Sequence, residues 1–322
     1  MRPATSVNED LRGQLTYLNL ILTGVVSVGT LLVTSAGEVM KLRQTSESEE
    51  HYRRPPRRYE LPSSDGVGRG PWSREKYLRP TRLCNSRAPE VVALAQRLGA
   101  GHLSDREFAE AAFDFAKNRM TLEIAPIDGV VETLQRGTGT CFGLITVFIA
   151  LCRAAGIKAR YKIFSTTMID AWRGPTIDAD PLLQKWHDSL GYFLLEGEGE
   201  AFVDGEWLVA HVGPTAERQA AAGIPISRLG EDAIGSWFEA RPGTIMRLES
   251  LPPGLAAGSR LLHKISPGSM ERVNNSVLRE IAKGREAIAA AGGIEAYDRA
   301  ARSSGQEDIE VDTVRNTQPT PR

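Results

Sequence analysis

The sequence predicts an α+β domain on three observations. Phe142 to Cys152 is apolar around most of a helical circumference and is led in by the Gly-rich stretch Arg136-Gly-Thr-Gly-Thr140 and Cys141, so it reads as a helix central to a core. Ile157 to Phe164 reads as a strand with Ile157, Ala159, Tyr161 and Ile163 on one face, and Gly156 is the stop between the two. Asp204-Gly205 lies between two short alternating runs, a hairpin signal that pairs Val203 with Glu206.

Residues 1–41 carry the first predicted element, a hydrophobic helix. No charged residue occurs from Gly13 to Gly37, and at about 1.5 Å per residue a helix there is long enough to cross a bilayer. Thr, Ser, Gly and Asn19 make its hydrophobicity moderate. Leu15, Leu18, Leu22, Val25 and Leu32 follow a heptad-like spacing that equally suits docking on a partner protein, so residues 15–36 are read either as a membrane segment or as a partner helix. Glu9 and Asp10 ahead of it argue against a cleaved signal peptide. Lys41, Arg43, Arg53, Arg54, Arg57 and Arg58 behind it favour a cytoplasmic location for the remainder, membrane-associated if the helix spans.

Residues 42–74, polar and charged, read as a linker, and 75–250 as the main domain. Arg87 to about Met120 predicts helices, with Val91, Val92, Leu94, Ala95 and Leu98, then Phe108, Ala109, Ala112, Phe113 and Phe115, at helical spacing. The Pro/Gly-broken stretch from Pro225 through Trp237 to Leu251 reads as a lip over a site. Residues 251–303 predict a C-terminal helical extension whose Met270, Val273, Val277, Leu278 and Ile281 form a packing stripe, and 304–322 a disordered tail.

The 322 residues carry a formal charge of −1, which gives no pull toward nucleic acid. Cys84, Cys141 and Cys152 are isolated from one another and from histidine pairs, so no metal or cofactor is predicted. On one helix Cys141 and Cys152 stand about 16 Å apart, too far for a disulfide.

Cys141 is placed where the helix begins. Backbone N–H groups and the helix dipole there stabilise a thiolate, and its own N–H could face a developing oxyanion. This is the layout of cysteine acyl transfer; the plain alternative is a small residue packed at a helix start. Gly139-Thr-Cys141 opening a buried helix, followed by Arg153-Ala-Ala-Gly-Ile-Lys-Ala-Arg160, resembles the transglutaminase-like superfamily of papain-like cysteine enzymes. The resemblance implies a papain-like core in which the Cys-bearing helix packs on an antiparallel sheet. It also implies a peptide, amide or carrier-bound thioester substrate.

The same resemblance implies a catalytic His on one hairpin strand and an Asp on the next. Glu200 and Val203-Asp-Gly-Glu-Trp207 fall where the family pattern has them, but Glu196 stands in the His slot and His211 in the Asp slot. By the hairpin register Glu198 lies opposite His211 and Glu196 is its diagonal neighbour, so a carboxylate can reach the imidazole and hold its tautomer. The expected site is therefore Cys141 as nucleophile and His211 as base, oriented by Glu196 or Glu198. His187, read as a loop residue in Lys185–Ser189, is the alternative base, and a site without a histidine base is the third reading. Resolution of an acyl-enzyme by an amine or by water stays open, as does a non-catalytic scaffold that binds through the cleft or the N-terminal helix.

Overall fold

The computed structural model describes residues 51–303 except 169, 233–237 and 253, together with residues 15–43 except 17, 21, 25, 28, 31, 32 and 35. It divides into two compact units, one formed within residues 1–215 and 228–277, the other within 216–227 and 278–322.

In the first unit the described residues form helices α1 (Ala36–Arg43), α2 (Pro89–Arg97), α3 (Asp105–Asp114), α4 (Val130–Arg136), α5 (Cys141–Ala154), α6 (Asp170–Arg173) and α7 (Pro181–Leu190). The predicted helical region 87–120 is thus two helices, separated where Ser104 caps α3 with a reciprocal Ser104–Glu107 capping box. A wide π-helical turn, Phe115–Arg119, continues α3. Strands β1 (Thr121–Leu122) and β2 (Thr138–Gly139) pair in parallel and steer the chain into α5.

The main sheet is antiparallel, in the order β5-β4-β3-β6, from β3 (Ala159–Met168), β4 (Phe193–Val203), β5 (Glu206–Ala210) and β6 (Phe238–Ala240). A further strand, β7 (Met246–Leu248), pairs with β3 at Tyr161 to Ile163. Val203 pairs with Glu206 across a two-residue turn in which Asp204 (φ 54°) and Gly205 (φ 85°) are both left-handed, the conformation a tight hairpin needs.

Phe142 to Arg153 are all buried, so α5 is the core helix on which the sheet is laid. Glu196-Gly-Glu-Gly-Glu200 explains how closely it lies. A Cβ on Gly197 would stand 2.9 Å from Phe142 Cε1, and one on Gly199 2.7 Å from Phe148 Cδ1, so side chains there would push the helix off the strand. Charged side chains on the alternate β4 positions pair with those of β3: Lys162 Nζ is 2.9 Å from Glu198 and 2.7 Å from Asp232, and Glu200 takes both Arg160 and Arg247. Lys162 and Glu198 are fully buried, which makes the pair one that neither partner can lose cheaply.

Residues 51–71 contain no helix or strand but pack against the domain that follows. Arg54 bonds Glu123 at 2.9 Å, and Tyr59 sets its ring edge on Phe115 and its hydroxyl on the Leu134 carbonyl at 2.8 Å. Toward the C-terminus lie α8 (Ala216–Ala221), α9 (Leu255–Ile265) and α10 (Pro267–Ala290), with residues 294–303 also helical. In the second unit Arg218 pairs with Glu280 at 2.6 Å, and the Asp298 carboxylate accepts from Ile226 N at 2.9 Å. Among the described residues no helix is long and apolar enough to cross a membrane, and Val25 and Leu32 of the predicted N-terminal stripe lie outside them.

Candidate functional site

Cys141 is the first residue of α5. Thr140 precedes it in extended conformation and its Oγ1 accepts from Gly143 N at 3.3 Å, an N-cap that satisfies one of the first-turn donors. The cap and the β1–β2 pairing together fix where the helix starts. Cys141 is the one partly exposed cysteine of the three; Cys84 and Cys152 are wholly buried. Burial pushes both of those thiols up from the ordinary cysteine range, and Cys84 Sγ donates weakly to the Thr146 carbonyl at 3.9 Å.

Gly213 is the contact that brings the site together. A Cβ there would stand 3.0 Å from Cys141 Cβ and 3.8 Å from Glu196 Oε1, so the cysteine and the Glu196 carboxylate flank the same point of the chain. Only a residue without a side chain lets the segment after β5 come this near the cysteine. Glu196 is almost fully buried and its Oε1 accepts from Gly197 N at 3.0 Å, which holds the carboxylate against its own strand. Neither Gly213 nor its role stands out in His211-Val-Gly-Pro-Thr215 without the three-dimensional contact.

His211 lies just beyond β5 and is wholly buried, its ring edge-on to Trp172 of α6 at 6.3 Å between centroids. The hairpin register is the expected one, but the paired ladder ends at Gly199–Ala210, one residue short of the Glu198–His211 pair. Glu198 is in an ion pair with Lys162. His187 is not in a loop: it lies in α7, which Asp180 caps, and its side chain is mostly buried with Nδ1 3.6 Å from Asp188. Its helical placement follows from Asp180-Pro181, an N-cap followed by proline at the first helical position, a start signal that was legible in the sequence. His263 also has a structural role, with ring nitrogens 2.8 Å from the Ser259 carbonyl and 3.0 Å from that of Ile124. Among the described residues no group of three or more His, Cys, Asp or Glu side chains is placed to hold a metal ion.

Residues 92–174, which include α5 and Cys141, match the model of the transglutaminase-like superfamily core, so the chain carries a transglutaminase-like domain. Among solved structures, a proposed cysteine protease from Cytophaga hutchinsonii aligns at 18% identity with a TM-score of 0.33. The alignment covers 53% of this chain and 51% of that one, about half of each. No curated protein matches the chain.

Proposed function

We propose that this transglutaminase-like chain is a cysteine-dependent acyl-transfer enzyme with a rearranged Cys/Glu/His site. Cys141 sulfur attacks the carbonyl carbon of an amide or thioester, the amine or thiol departs with a proton, and an acyl-enzyme remains until an amine or water takes the acyl group. The helix N-terminus favours both the thiolate and the oxyanion.

Glu196 serves the thiol directly. A lone carboxylate would raise the thiol pKa, and we assign His211, buried two residues before Gly213, to offset its charge as an imidazolium. Glu196 accepts the thiol proton and returns one to the leaving group. Glu198 carries less weight, since Lys162 already neutralises it. His187 carries less still, being placed on α7 beside Asp188.

The single observation behind this reading is the meeting of Cys141 and Glu196 at Gly213. The same observation favours one other reading, a non-catalytic binding module, because an acidic residue occupies the slot where the family has a base. Acylation by the acetyl thioester of N-acetylcysteamine, followed by intact mass at pH 7, separates the two. The enzyme reading expects an adduct on Cys141 that forms at least about tenfold faster than on free cysteine, as depressed thiol pKa values produce. A rate no higher than free cysteine's favours the binding module. Discharge of the adduct with and without an added primary amine then distinguishes transfer from hydrolysis.

A further inference from the structure

Lys117 is a fully buried cation that the mechanism above does not use. It sits in the π-helical turn after α3, and such turns insert a residue into a helix and re-aim the side chains around it. Its Nζ donates to the His211 carbonyl at 3.0 Å and to the Pro214 carbonyl at 2.8 Å, and lies 5.6 Å from the centre of the Phe113 ring. Two carbonyl oxygens and an aromatic face form a cradle suited to an ammonium ion.

The two carbonyls bracket Gly213, where a Cβ would meet Cys141 and Glu196. We infer that Lys117 is a positioning residue: by gripping the chain on either side of Gly213 it presses that segment against Cys141, and its fixed charge favours the Cys141 thiolate. The inference rests on Cys141 being the functional nucleophile. Among the described residues, Cys141 on α5, Glu196 on β4 and His211 after β5 are the titratable groups beside this segment, and the buried Lys162–Glu198 pair, with Asp232 also on Lys162, is the charged cluster on β3 and β4. A buried charge acts at longer range than an exposed one because little solvent screens it, so contact with the thiol is not required.

The test is the pH dependence of iodoacetamide alkylation of Cys141 in the full chain, for the wild type, Lys117→Met and Lys117→Gln, with thermal unfolding followed in parallel. Loss of the cation raises the midpoint of the alkylation profile by about half a unit to one unit in either variant. A purely structural lysine would lower the melting temperature and leave the midpoint where it was. If Lys117→Met does not fold, the Gln variant, which keeps a donor for one carbonyl, gives the same reading. An unchanged midpoint in a folded variant overturns the inference. A wild-type midpoint of about 8.5 would instead count against the catalytic reading, and it is read from a different sample than the Lys117 shift.

Discussion

Cys141 and Cys152 lie on one helix and are chemically unlike. Cys152 is wholly buried, and burial pushes its thiol well above the ordinary range. Cys141, three turns earlier, is partly exposed at the capped start, where a Cβ on Gly213 of the neighbouring segment would meet both its Cβ and the Glu196 carboxylate. The helix supplies a rigid mount, while reactivity depends on which end of it the thiol occupies and what the sheet brings there. Hydrophobic burial of the shaft holds the N-terminus still.

Replacing Cys141 with serine tests that contrast most strongly. Alkylation of the native protein should fall by at least about 100-fold, because the remaining cysteines are inaccessible and their thiols disfavour the reactive anion. Peptide mapping of the labelled site checks it; labelling of Cys84 or Cys152 in the folded protein would break the contrast.

Two glycines sharpen it. Gly213→Ala introduces a carbon 3.0 Å from Cys141 Cβ, and displacement of the reactive end by a few tenths of an ångström should lower the acylation rate about tenfold. Gly199→Ala introduces a carbon 2.7 Å from Phe148 Cδ1, under the shaft of the same helix. It should cost about 1–3 kcal/mol in urea unfolding and leave the alkylation midpoint unchanged. Opposite results would mean that shaft and tip are not separable.

The buried thiols, which take no part in the chemistry, give stability a pH dependence. Folded-state thiol pKa values of Cys84 and Cys152 are raised by burial, so their contribution to stability is fully present below the unfolded value of about 8.5 and is lost as pH rises above it. The slope approaches about 1.4 kcal/mol per pH unit per thiol, and Cys152→Ala should remove one thiol's share from a urea-unfolding series between pH 8 and 10. An unchanged slope would contradict the burial account.

Much of this was legible in one dimension. The apolar period of 142–152, the stop at Gly156 and the Asp204-Gly205 turn are local signals, and each became the element it specifies. Glu196 and Cys141 could be paired only through the family resemblance, since 55 positions of chain separate them and no local rule links a helix start to a strand. Gly213 and Lys117 escaped notice because their meaning is a close approach and a pair of backbone acceptors, neither of which leaves a periodic trace. The alternating glycines of β4 are a local signal, since Gly in a strand marks close packing, and they stand among more conspicuous glutamates.

On the proposed function Cys141 is an activated thiol served by Glu196 and His211. The most direct measurement is the alkylation rate of Cys141 against pH in the wild type, Glu196→Gln and His211→Gln. The account predicts a wild-type midpoint clearly below about 8.5 that shifts when either partner is replaced. A midpoint at about 8.5, indifferent to both substitutions in folded protein, would contradict it.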